Sequence, residues 1–349
     1  MAVSVQEFGK NRSGGCVRKY ILENANGMRA EVLDLGAILQ SLFVPDRHGN
    51  LQDVVWGFDN AADYERPGPY FGAVIGRITN LIGNSQAEIA GKLYQLEPNA
   101  GPHCNHGGPH GFQIRMWDAE IVNDYEVMFV LNSPDGDQGL PGNMKIAVSY
   151  ILTENNGLRI KYRGCSDQDT LINMTNHSYF NLEGAWSETN GNHQLWMASD
   201  AYTPTDDDAL PTGEIRPVDN TPMDFRRWRY LRDGFTLNHE ILNQYGDYTH
   251  NFLLHHDGFE LAAKLYAEKT GIEMEVFTDQ PALELYAAKN LNEKTGCKYG
   301  RSYPKNSAVC LETQHTPDTP HLKGFPSILL KAGKEYATET EYRFLVREP

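Results

Sequence analysis

No Cys-x-x-Cys pair occurs in this chain, and its five cysteines, Cys16, Cys104, Cys165, Cys297 and Cys310, are odd in number and widely spaced. That excludes a closed disulfide framework and points to free thiols in a reducing compartment, so a cytoplasmic protein is expected. Runs of Lys and Arg are also missing: 46 acidic residues outnumber 31 basic ones, for a formal charge of −15. Such a balance excludes nucleic acid as a partner, because phosphate backbones are held by clustered cations. Without a basic amphipathic stretch, an anionic membrane surface is excluded as well. No apolar window approaches bilayer length, and Met1 to Lys10 shows no charged-then-apolar targeting pattern. The G-x-G-x-x-G and Walker spacings are absent, so the glycines do not mark a phosphate cradle.

What the chain has in abundance is short β-type runs divided by turn chemistry. Ala37 to Val44, Tyr125 to Leu131, Met144 to Leu152 and Leu158 to Tyr162 read as strands, two of them alternating polar with apolar. Asp46-Arg-His-Gly49, Pro134-Asp-Gly-Asp137 and Asn155-Asn-Gly157 supply positive φ or side-chain caps between them. Helical periodicity is weak; the best stretch, Asn238 to Gln244, spans about two turns. Glycine and proline are spread along the chain, and no repeat, low-complexity segment or composition break appears. The pattern predicts antiparallel sheets packed face to face in one all-β domain over residues 1–349, with few short helices.

Four stretches are dense in polar, aromatic and glycine residues. In Ala308 to Gln314 an apolar strand ends on Glu312, where partial desolvation raises a carboxyl toward the range of a general base. The plain alternative is a Glu that pairs with an Arg or caps a loop. In Asn173 to Asn181, extended geometry puts His177, Tyr179 and Asn181 on one face and Asn176, Ser178 and Phe180 on the other. An imidazole beside a phenol and an amide suits a polyhydroxylated ligand, although a satisfied core histidine reads equally well. Around Asn105 to Phe112, His103, His106 and His110 raise the question of a metal. No helix aligns them and no Cys/His pair completes a zinc pattern, so no metal is expected and His106 reads as a hydrogen-bonding loop residue. Finally, Gly76-Arg-Ile-Thr-Asn80 offers Arg77 and Asn80 to a cleft.

Together these segments resemble the aldose 1-epimerase (galactose mutarotase) family nearly end to end. In order stand Gly76-Arg77…Asn80, His106-Gly-Gly…Gly111-Phe112, Thr175-Asn-His-Ser-Tyr-Phe-Asn-Leu182, and Leu210-Pro-Thr-Gly-Glu-Ile215 with Met223-Asp-Phe225. His250-Asn-Phe252, Glu312-Thr-Gln…Pro317-Asp318 and Phe325-Pro-Ser327 complete the series. The resemblance implies a large antiparallel β-supersandwich, catalysis without a cofactor, and interconversion of the anomers of free hexoses such as galactose and glucose. It implies Glu312 as catalytic base and His177 as catalytic acid, with Arg77, Asn80 and His106 at the sugar; Tyr179, the phenol beside His177, is expected to bind it too. Glu284 falls where the family usually carries a sugar-contacting Gln.

Three departures bear on the sugar. Leu81 stands where the family commonly has Arg, Gln113 where it has Asp, and Thr249 where an Asp precedes His-Asn-Phe. Asp247, two residues before Thr249, is expected to reach the same space from the same strand face. Lost charge-assisted hydrogen bonds are worth about 1.5–3 kcal/mol each, so altered galactose specificity is expected. The expected partner is a small-molecule sugar, and the expected assembly a monomer or weak homodimer. Three other readings remain at this point: an epimerase of another reducing sugar, a non-catalytic sugar-binding protein, and a glycosidase pairing Asp247 with Glu312.

Overall fold

Alternation of polar and apolar residues between positions 118 and 166 gives every strand after the first, exposed one a face for the core and a face for solvent or a neighbour. In this computed structural model, which describes residues 2–255 and 257–348, that segment is an antiparallel meander. Its strands are Asp118–Asn123, Glu126–Ser133, Met144–Leu152 and Gly157–Ser166, and alternate residues of Met144–Leu152 are buried. The final strand, Glu335–Val346, pairs with Gly157–Ser166 on one side and Ile272–Thr278 on the other. This extends the meander into a nine-stranded sheet that runs on through Glu260–Ala267, His193–Met197 and Arg229–Tyr230.

Two five-stranded sheets complete the sandwich. One runs in chain order from Ala2–Lys10 to Leu51–Asp53. The other has the order Arg216–Pro217, Ala201–Thr203, Thr249–Leu253, Ala282–Tyr286, Cys310–Gln314. The main hydrophobic core draws on all three, with Val32 and Leu42, then Val148, Ile160 and Met274, then Phe252, Leu283 and Leu311. Each such side chain contributes about 1.5–3 kcal/mol when fully buried, so the three sheets are bound into one interior.

The α-helices among the described residues are single turns, Arg232–Phe235 and Glu240–Asn243, the second inside the helix predicted over 238–244. The all-β supersandwich with few short helices is therefore the observed fold. No described helix is long and apolar enough to cross a membrane. All five cysteines are free.

Candidate active site

Antiparallel register aligns one residue from each of four strands into a row: Thr203, Asn251, Glu284 and Glu312 are successive cross-strand partners. Partners in register point to the same face of a sheet, and all four line a cavity of about 410 Å³. Two positions along, Thr249 and Tyr286 are partners and line the same cavity. Glu312 lies in the middle of Cys310–Gln314 rather than at a strand end as predicted, and this buries it more deeply, at 2% exposure.

The facing wall is irregular backbone. His177 is held where its own N–H donates to the Ala73 carbonyl and its carbonyl accepts from Gly72 N–H. Gly72 has φ +64°, and a Cβ there would lie 2.1 Å from the Leu39 carbonyl oxygen, so only glycine lets this turn approach. Asn176, on the opposite face, donates to the Gly72 carbonyl and to Tyr150 Oη, which fixes the same turn from behind. The second loop is tied by a reciprocal pair: His106 N–H donates to the Asn80 carbonyl, and Asn80 N–H donates to His106 Nδ1 at 3.1 Å. Gly107 permits this contact, since a Cβ there would meet the Gly76 carbonyl oxygen at 2.1 Å.

These walls bring His177 Nε2 to 3.6 Å from Glu312 Oε1, with both side chains buried. The other carboxyl oxygen, Glu312 Oε2, is buried without a protein partner. Burial, reinforced by Glu284, pushes the Glu312 carboxyl well above its usual range. Burial alone pushes Glu284 up to about 8. The same desolvation lowers His177 to about 4 and holds His106 well below its usual value, so both imidazoles rest neutral. The Tyr179 ring stacks on His177 with centroids 5.0 Å apart, and Tyr70 stacks at 5.8 Å. Neither Lys nor Arg is among the described residues that line the cavity.

His106, His177 and Glu312 offer ligand atoms within 4.8 Å of one another, a set that invites comparison with a metal site. The hydrogen bond from Asn80 N–H makes Nδ1 of His106 an acceptor, so the neutral ring carries its proton on Nε2. A metal-bound histidine has the reverse pattern, donating its second N–H while the ligating nitrogen is bare. The arrangement therefore suits hydrogen bonds to hydroxyl oxygens.

Of the predicted site residues, Glu312, His177, Asn80, His106, Tyr179, Thr249 and Glu284 line the cavity, and two do not. Arg77 is turned away and 3% exposed; its guanidinium donates to Ser133 Oγ and to the carbonyls of Ser133, Pro134, Pro141 and Gly142. Asp247 precedes its strand and is fully buried beside the cavity wall, accepting from Asn306 Nδ2 at 2.8 Å and Thr249 Oγ1 at 3.3 Å. It is therefore not among the residues that line the cavity with Glu312. Among the departures, Leu81 and Thr249 line the cavity, whereas Gln113 is buried outside it. Sequence reasoning missed Tyr70, Tyr245, Tyr286 and Asn251, which also line it. Asn251 and Tyr286 had a signal, the one inside His250-Asn-Phe252 and the other two residues from Glu284; the two loop tyrosines had none.

Fold and cavity together define a β-supersandwich with a buried glutamate–histidine pair in the wall of a cavity lined by polar and aromatic side chains. Residues 18–343 match the family described as aldose 1-epimerase. The chain is 37% identical to human galactose mutarotase over 345 residues, covering 97% of each. It is 35% identical to the Escherichia coli aldose 1-epimerase over 332 residues, covering 94% of this chain and 95% of the relative. A solved aldose epimerase homologue from C. elegans superposes with a TM-score of 0.87 at 34% identity, covering 94% and 98%. A galactose 1-epimerase from Lactobacillus acidophilus gives 0.87 at 25% identity over the full length of both chains. The chain belongs to the aldose 1-epimerase family.

Proposed function

We propose that this protein accelerates interconversion of the α and β anomers of free aldoses such as galactose and glucose, with Glu312 and His177 moving the protons. It is an isomerase, and the reaction needs no group beyond its own side chains. The observation that carries the assignment of roles is the buried His177–Glu312 contact at 3.6 Å, with one Glu312 oxygen left free to face a ligand. Ring opening removes the proton on O1 while one is delivered to the ring oxygen. Rotation about C1–C2 in the open aldehyde then presents the other face, and the same two groups reverse their steps. A neutral Glu312–His177 pair and a carboxylate–imidazolium pair hold the same single exchangeable proton. Sugar hydroxyls that donate to Glu312 favour the second arrangement, in which Glu312 is base and His177 acid. A positioned acid or base contributes on the order of 10²–10⁴-fold. His106, protonated on Nε2, together with Asn80, Tyr179, Thr249 and Glu284, holds the hydroxyls.

The test is optical rotation after dissolving crystalline α-D-galactose or α-D-glucose with and without protein. The expected result is faster approach to an unchanged final rotation; an unchanged rate would reduce the protein to a sugar binder. A glycoside blocked at C1 should not react. Leu81 and Thr249 at the cavity favour a second reading on the same scaffold, relaxed galactose preference or another reducing sugar. Residues 1–349 are read as one domain, supported by the family match across 18–343 and by a last strand inserted between early and late ones. Free cysteines support a cytoplasmic location, and the acidic balance supports the absence of nucleic-acid and anionic-membrane partners; the assembly proposed with them is a monomer or weak homodimer.

A further inference from the structure

Glu284 and Glu312 are direct cross-strand partners between Ala282–Tyr286 and Cys310–Gln314. Side chains so placed have Cβ atoms about 4.5–5.5 Å apart, and like charges there oppose pairing. Asn251 faces Glu284 from the next strand, Tyr245 from the turn before it, and His177 across the cavity, and none of these is cationic. Glu293, at the cavity rim, is tied to Arg66 at 3.2 Å. Lys289 lies behind the wall, where it donates to the Tyr245 carbonyl and acts on Asp247. Glu284 is thus a carboxyl at 7% exposure whose displacement to about 8 comes from burial, with no donor or cation offsetting it. A carboxylate in such surroundings takes up a proton rather than remain an uncompensated charge.

We propose that Glu284 is carried as a neutral carboxylic acid in the resting site, donating its O–H to a sugar hydroxyl oxygen and leaving Glu312 as the carboxyl that exchanges its proton during turnover. This inference rests on the anomerase reading of the cavity. Two consequences follow. Once Glu284 ionises, the sugar loses a donor and Glu312 gains a negative neighbour that tightens its hold on its proton, so turnover falls on the alkaline side. A neutral sugar fits a cavity without cations, whereas a sugar phosphate or uronate meets carboxyl groups and nothing to pair with.

Glu284→Gln keeps shape and donor while removing the titration. Carbon NMR of labelled glutamate side chains should show one carboxyl titrating near 8 in the parent and missing in the variant. With the spontaneous rate subtracted, parent kcat/KM should fall about tenfold per pH unit above that midpoint, while in the variant the fall sets in only at higher pH, where the Glu312–His177 pair gives up its shared proton. Titration of Glu284 in the ordinary range near about 4, or an alkaline midpoint that does not move in the variant, would overturn the inference. If the parent does not accelerate anomerisation, the functional reading fails and the carboxyl titration still decides the state of Glu284.

Discussion

At Asp53, Lys298 places its ammonium 2.6 Å from one carboxylate oxygen and uses its remaining donors on the Gln40 carbonyl and Ser41 Oγ. Asp53 accepts further from Tyr299 Oη and Leu42 N–H, at 2.8 and 3.1 Å. At Glu312 the environment is as dry, yet one oxygen has no partner and the other faces a neutral imidazole at 3.6 Å. Both carboxyls are nearly inaccessible, Asp53 at 5% and Glu312 at 2%. A closed set of bonds around a buried charge belongs to the scaffold. Unused capacity around a buried acid, at the wall of a cavity, is capacity reserved for a ligand.

The largest expected effect breaks the open cluster. His177→Asn should lower the anomerisation rate by on the order of 10²–10⁴-fold with little change in unfolding midpoint, as read by polarimetry and thermal melting. Breaking the closed cluster should do the reverse. Lys298→Met leaves Asp53 buried without its cation and should cost about 3–5 kcal/mol of stability in denaturant titration, with kcat/KM of the folded protein unchanged. Thr249→Asp tests the cavity wall. A restored carboxylate should change the galactose-to-glucose ratio of kcat/KM by about 10–150-fold, the equivalent of about 1.5–3 kcal/mol; equal ratios would remove Thr249 from sugar selection.

The last effect is a slope. Glu284 is raised from 4.5 to about 8 on folding, so between those values the native state holds a proton that the unfolded chain has released. Stability must therefore fall as pH rises through that window, by up to about 1.4 kcal/mol per unit. Glu284→Gln should remove this slope, and its advantage over the parent in urea denaturation should widen from about pH 5 to pH 8.

How far the sequence discloses all this depends on which interactions are local. Alternation in Met144–Leu152 is a property of one strand and was legible, as were the turns at Asp46–Gly49 and Asn155–Gly157. The row Thr203–Asn251–Glu284–Glu312 was not, because its register is set by pairing between strands far apart in the chain. Arg77 and Asn80 share one motif but diverge. Asn80 takes a left-handed backbone at φ 60° and turns to the cavity, while Arg77 is drawn to a ring of carbonyls whose position no local pattern announces. Asp247 lies off the cavity wall for a similar reason: no local pattern shows that the strand begins only at Thr249, two residues later. His177 and Glu312 were found through the ordered motifs, and the unpartnered oxygen that separates them from structural groups is visible only in three dimensions.

The most direct test joins both halves of the comparison in one variant. Glu312→Gln should lose on the order of 10²–10⁴-fold in anomerisation rate while its melting temperature stays level or rises, because a desolvated carboxyl with an unused oxygen gives the fold little. A melting temperature lower by about 2 °C or more, the equivalent of roughly 1.5 kcal/mol or more in a chain of 349 residues, or an unchanged rate, would contradict the account.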